Sequence, residues 1–207
     1  MGATPLPALE PILADVARVG GWLWQRGWAE RNAGNLSLDV SRLHVATDVP
    51  SAAPFVRSPI PDARLAGRDF LVTVAGARFR DLAERPEAGV VLLRIAPGAD
   101  GYHVLWDPSR GRHRATSELP AHLLVHARLA EASPVPPVVL HTHPTRLRAL
   151  HLSPVGASEP SLNRALWSML PEVKLLVPEG VALAPYRLPG TTELAEETSA
   201  ALRRHRV

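Results

Sequence analysis

The chain has 207 residues, 46% of them hydrophobic and 21% charged, with 23 Lys+Arg against 20 Asp+Glu for a net charge of +3. That balance excludes a disordered or fibrous chain and sets one domain, residues 1–207, as the expectation. It contains no cysteine, which rules out a disulfide framework, a zinc ribbon and a thiol nucleophile, so that any metal site must use His, Asp or Glu.

Leu9, Ile12, Leu13, Val16, Val19 and Leu23 recur at helical spacing, and Gly27 follows as a stop. Trp22, Trp24 and Trp28 crowd the end of that helix and read as core packing. A turn cluster from Asn32 to Asn35 then enters an alternating strand with Leu36, Leu38 and Val40 on one face. Residues 50–68 carry four prolines and read as a loop. Strands are expected over 69–74, 90–95 and 102–106, the last two joined as a hairpin by Pro97-Gly98-Ala99-Asp100-Gly101.

Thr116-Ser117-Glu118-Leu119-Pro120 opens a helix, with Ser117 as its expected N-cap and Leu123, Leu124, Ala127 and Ala130 as its apolar stripe. Pro136-Pro137 precedes an apolar strand over 138–143, read as buried, and Pro144 opens a short helix to about His151. Beyond it the pattern predicts a helix over 161–170, strands over 173–177 and 181–184, and a helix over 190–205. The order implies a mixed or antiparallel sheet covered by helices, not a doubly wound parallel sheet. There is no Walker loop, dinucleotide fingerprint or repeat.

The positive charges are scattered arginines, with Lys174 the only lysine, and no basic run or aromatic-interleaved stretch suggests a nucleic-acid partner. No leader pattern and no run of roughly 18 apolar residues is present, which predicts a cytoplasmic protein with no membrane span.

His141 and His143 stand two apart on the expected strand, so both imidazoles project from one face and converge on a single cation, or else satisfy local hydrogen bonds. Without cysteine the candidate metals are zinc, manganese or iron with N/O ligands, and a catalytic zinc wants three protein ligands where this pair supplies two. Glu118 at a helix start is either a carboxylate favoured by the helix dipole or a general base beside a metal. Asn32, Gly34, Asn35, Thr116 and Ser117 are turn or cap residues whose donors also suit a phosphate. His122 and His126, four apart on one helix, read as packed or surface histidines before they read as a chelate.

Taken together, several segments resemble the class II aldolase/adducin family. They are 27–37 (Gly-Trp-Ala-Glu-Arg-Asn-Ala-Gly-Asn-Leu-Ser), Phe70-Leu71-Val72-Thr73 with Phe79-Arg80, and Gly101-Tyr102-His103-Val104-Leu105-Trp106. Thr116-Ser117-Glu118-Leu119-Pro120-Ala121-His122, His141-Thr142-His143 and Leu188-Pro189-Gly190-Thr191 follow in the family's order. The Thr116–His122 run and the Gly101–Trp106 run favour the rhamnulose branch over the fuculose and ribulose ones.

The resemblance implies a three-layer α/β/α aldolase-epimerase fold with a largely antiparallel central sheet, assembled as a homotetramer. It implies a metal-dependent lyase that reversibly cleaves a phosphorylated ketose, similar to rhamnulose 1-phosphate, into dihydroxyacetone phosphate and an aldehyde. It assigns His141 and His143 as zinc ligands (zinc or another divalent metal) and Glu118 as the acid/base. Asn32, Asn35, Thr116 and Ser117 would hold the phosphate, with Gly34 and the Gly76 loop at the site, and Glu172 would reach into a neighbouring subunit.

Two departures from the family pattern stand out. Its phosphate loop carries a serine where this chain has Ala75, and its third ligating histidine lies in a strand beyond the last helix, past the position of His205. On that comparison the C-terminal part of the family fold is expected to be lacking. A non-catalytic adducin-like binding or assembly module, or a ribulose-phosphate 4-epimerase-type relative, remain the alternatives.

Overall fold

The computed structural model describes residues 6–203 and 205, apart from 46–47, 59, 110, 113 and 133–136. Pro136, which precedes the expected strand over 138–143, lies outside the described residues. The elements in chain order are α1 (Glu10–Gln25), β1 (Asn35–Asp39), β2 (Phe55–Arg57), β3 (Asp69–Thr73), α2 (Phe79–Glu84), β4 (Val90–Ile95) and β5 (Gly101–Trp106). They continue with α3 (Leu119–Ala132), β6 (Val138–His141), α4 (Thr145–His151), α5 (Glu159–Met169), α6 (Pro171–Leu176) and α7 (Thr192–Ala201).

The strands form one sheet in the order β2-β5-β4-β3-β1-β6, and every pairing among the described residues is antiparallel. Strand alternation sends side chains to two cores. Leu36, Leu71 and Leu92 face Leu13, Val16 and Leu23 of α1 together with Phe79 and Leu82 of α2. Phe70, Val72, Val91 and Leu93 face Leu119, Leu123 and Ala127 of α3, and α7 packs behind α3. This is the α/β/α layering that the family resemblance implies, with a sheet more uniformly antiparallel than mixed.

Several expectations fail for identifiable reasons. Trp22, Trp24 and Trp28 are exposed, because they lie off the α1 stripe of Leu13, Val16, Gly20 and Leu23. Each carries an arginine over its ring instead: Arg18 on Trp22 at 5.7 Å, Arg80 on Trp24 at 5.6 Å and Arg26 on Trp28 at 6.0 Å. The proline-rich 50–68 stretch contributes an edge strand, β2, paired with β5. Helix α2 was not expected; at six residues it is too short for a clear periodic signal.

Residues 173–177, apolar enough to suggest a strand, fall in and beside α6, where Pro171 pre-sets the first turn and Lys174 sits in the last. Residues 181–184 are irregular. Their backbone is satisfied by side chains rather than a ladder, Val181 N–H donating to Asn163 Oδ1 at 2.7 Å and Leu183 N–H to Glu159 Oε2 at 3.0 Å. Strand β6 is an edge strand with Val138 and Leu140 exposed, not a buried one, and it ends at His141, two residues before the expected limit. The α3 entry is capped by Thr116, not Ser117: the Thr116 hydroxyl accepts from the Glu118 N–H at 3.3 Å.

Candidate active site

One end of β1 and β6 builds the site. Their register places Asn35 directly opposite His141. Just before β1, the turn from Glu30 to Gly34 contains two left-handed residues, Arg31 (φ +53) and Gly34 (φ +90). Gly34 is required there: a Cβ would meet the His141 carbonyl oxygen at 2.6 Å and Phe79 Cε2 at 2.9 Å. The turn therefore lies against the strand that carries the histidine.

From the other side, the chain following β3 and the entry to α3 close a cleft of about 370 Å³. Asn32, Gly34, Asn35, Gly76, Thr116, Ser117, Glu118, His141 and His143 all line it. Glu30 and Arg31 line it as well, and were not anticipated as site residues. Glu172 is not brought there; it sits exposed on α6. His205 is also elsewhere, buried against the Gly180 carbonyl (3.1 Å) and Glu159 Oε1 (3.0 Å).

His143 lies beyond the strand end, held by its own N–H donating to the Trp28 carbonyl at 2.7 Å. The convergence predicted from alternation nevertheless occurs. His141 Nε2 and His143 Nε2 approach to 3.0 Å, with the rings 4.8 Å apart. On its other side His141 Nδ1 meets Glu118 Oε2 at 2.7 Å. A carboxylate at Nδ1 fixes the proton there and leaves the lone pair at Nε2, the arrangement that typically backs a metal-bound imidazole.

The contact with His141 holds the Glu118 carboxyl below the usual carboxylate range, opposed by burial and reinforced by the Asn35 amide. Burial, and next the neighbouring His141, push the His143 imidazole down and keep it neutral. Two imidazole nitrogens aimed at one point suit a divalent cation with N/O chemistry, and the pair fits two ligand positions. Among the described residues no group of three or more His, Cys, Asp or Glu is placed to complete such a site.

The sequence reading also set aside the apparatus behind Asn35. His122 and His126 of α3 are buried against β1, with Ser37 Oγ between them at 2.6 Å from His122 Nδ1 and 2.7 Å from His126 Nε2. Their partners, Asn35 and Ser37, belong to the polar alternation Asn35, Ser37, Asp39 on the strand face opposite its leucines.

Comparison with known proteins agrees with this architecture. The model of the Class II Aldolase and Adducin N-terminal domain matches residues 14–207. The chain is 32% identical over 198 residues to a rhamnulose-1-phosphate aldolase of Listeria monocytogenes, covering 95% of this chain and 72% of the relative. It is 35% identical over 200 residues to one of Bacteroides thetaiotaomicron, covering 93% and 71%. Among solved structures, a sugar-phosphate aldolase from Thermotoga maritima superposes with a TM-score of 0.76 at 26% identity, covering 95% of this chain and 79% of that one. An L-fuculose 1-phosphate aldolase shares the fold, with a TM-score of 0.58 at 17% identity over 99% of this chain and 71% of that one. The chain belongs to the class II aldolase/adducin family.

Proposed function

We propose that the chain is a metal-dependent class II aldolase that cleaves a phosphorylated ketose of the rhamnulose 1-phosphate type to dihydroxyacetone phosphate and an aldehyde. The observation that carries this reading is the contact of Glu118 Oε2 with His141 Nδ1 at 2.7 Å, beside the converging Nε2 atoms of His141 and His143. The 32–35% identity to relatives named rhamnulose-1-phosphate aldolase supports the substrate class.

His141 and His143 would supply two nitrogens to a divalent cation, zinc in this proposal. When bound, such a cation lends Lewis acidity to the substrate's carbonyl and hydroxyl oxygens. Asn32, Asn35, Thr116, Ser117 and the Gly34 and Gly76 backbone would bind and orient the phosphate, using amide, hydroxyl and backbone donors that need no net charge. Glu118, held ionised by its neighbours, would take a proton at a carboxylate oxygen in the synthetic direction and return it in cleavage. Its place on the cleft wall, half-buried, limits competition from water.

We further propose a cytoplasmic homotetramer in which Glu172 reaches a neighbouring site. On the same helix as Glu172, Leu175 and Leu176 are each at least 80% exposed, and adjacent large apolar side chains left in solvent are what a subunit contact would cover. Light scattering should show an oligomer that Leu175→Asp/Leu176→Asp dissociates.

The reading is tested by metal analysis of the purified chain and a retro-aldol assay on rhamnulose 1-phosphate, with dihydroxyacetone phosphate as the readout. Cleavage that depends on a bound divalent metal is expected; no cleavage with zinc, manganese, cobalt or iron added overturns it. One observation favours a second reading, a non-catalytic sugar-phosphate-binding module: among the described residues no third ligand joins the histidine pair. That reading predicts saturable binding of the sugar phosphate without turnover.

A further inference from the structure

Behind the cleft, four buried side chains form a continuous hydrogen-bonded line. His126 Nε2 lies 2.7 Å from Ser37 Oγ, which lies 2.6 Å from His122 Nδ1. His122 Nε2 meets Asn35 Oδ1. The Asn35 amide nitrogen continues the line to the Glu118 carboxylate and stands 3.4 Å from His141 Nδ1. Ser37, His122 and His126 are each no more than 2% exposed.

The proton positions along this line follow from what each atom is able to do. A carboxamide oxygen only accepts, so His122 Nε2 carries the proton. In the neutral ring Nδ1 then accepts, and the single Ser37 proton must point at it. The Ser37 oxygen is left to accept from His126 Nε2–H. That leaves His126 Nδ1 as a bare lone pair, and it is indeed a buried atom with no partner among the described residues. Burial keeps both rings uncharged, His122 near a pKa of about 3 and His126 near about 4. The opposite polarity would turn the Asn35 oxygen onto the Glu118 carboxylate, acceptor against acceptor. Every atom in the line is thus assigned one role, and the direction of the chain is single.

We infer that Ser37, His122 and His126 are positioning residues that lock the Asn35 side-chain amide with its NH₂ turned into the cleft, toward Glu118 and an anionic substrate oxygen. The consequence for turnover rests on the aldolase reading; the locking itself does not. Asn35 alone, at a strand end beside an open cleft, would be free to exchange its two nearly isosteric orientations. The buried line removes that freedom before substrate arrives, so that the donor is present without a reorganisation cost.

The test uses the full chain labelled with ¹⁵N. Histidine ¹⁵N spectra should show His122 neutral and protonated at Nε2 at neutral pH, and the Asn35 side-chain NH₂ protons should be protected from solvent exchange. His122→Leu removes the donor and should speed exchange of that NH₂ about tenfold or more, the loss of one ordinary hydrogen bond. His122→Gln places an amide N–H at comparable reach and should restore protection. In the aldolase assay, KM for the sugar phosphate should rise about tenfold in His122→Leu and return to within about threefold in His122→Gln. A merely structural role would make activity follow the melting temperature of each variant, not the presence of the donor. An Nδ1–H tautomer at His122, unchanged Asn35 exchange in His122→Leu, or a folded His122→Gln that fails to restore protection overturns the inference. If the wild-type chain cleaves no ketose phosphate, the proposed function falls, while the tautomer and exchange measurements still decide the locking.

Discussion

Acidification should destabilise this fold well above the range in which carboxylates titrate. His122 and His126 are buried and uncharged, with their pKa values pushed from 6.5 to about 3 and about 4, chiefly by desolvation. Phe70 packs on the His126 ring at 4.8 Å, and Ser37 occupies one nitrogen of each ring, so neither has room for a solvated proton. With the folded-state values depressed, the unfolded chain binds more protons between about pH 4 and 6.5, and stability must rise with pH across that window. The contribution is complete above about pH 6.5 and is lost as the pH falls toward the folded values. At about pH 5 each unfolded histidine gains roughly 2 kcal/mol from protonation that the folded one does not, about 4 kcal/mol for the pair. Against a typical total of about 5–15 kcal/mol, that is a large fraction. Urea denaturation at about pH 7, 6 and 5 measures it directly, the slope approaching two protons at the acid end. His122→Gln/His126→Gln should be less stable at neutral pH yet nearly flat over the same range. A wild-type loss under about 1 kcal/mol, or an unchanged loss in the double variant, would refute the buried-neutral assignment.

Three further outcomes follow from the cleft. Glu118→Gln should lower retro-aldol turnover by about 10²–10⁴-fold with a melting temperature close to wild type, measured by the coupled assay and calorimetry. Gly34→Ala forces a Cβ onto the His141 carbonyl at a φ of +90, and should cost about 2–4 kcal/mol in urea unfolding together with weakened metal uptake. Ala75→Ser restores a hydroxyl in the loop after β3; if that hydroxyl reaches the phosphate, a charged hydrogen bond of about 1.5–3 kcal/mol predicts a KM lower by one to two decades for phosphorylated ketose and unchanged for the unphosphorylated sugar.

What could be read in the sequence and what could not divide along a physical line. The central strands were legible because β3 and β4 are buried on both faces and carry continuous apolar runs bounded by turns. The α1 stripe was legible because its period is helical over 16 residues. Edge elements were misjudged: Val138-Val139-Leu140 has the composition of a buried strand and lies at the sheet's margin, and nothing within four residues reports what will cover a strand. The apolar 173–177 stretch shows the same ambiguity in the other direction. There Pro171 and the flanking charges decide for helix.

The site divides the same way. His141 and His143 could be paired from spacing, since two residues of local geometry suffice to aim both rings at one place, even though His143 reaches that place from beyond the strand. Glu118 could be joined to them only through the family resemblance, because α3 and β6 meet in the fold and not in the sequence. The line from His126 to Asn35 needed both a strand face and a helix face to be known together. Asn35, Ser37 and Asp39 would ordinarily mark the solvent side of a half-buried strand, and His122 and His126 the polar side of a helix. Burying two such faces against each other is costly unless every polar atom is paired, and here, among the described residues, one imidazole nitrogen, His126 Nδ1, is left over. A lone pair is the cheapest group to leave, and its position at the far end of the line, away from the cleft, is what a chain of donors running toward Asn35 requires.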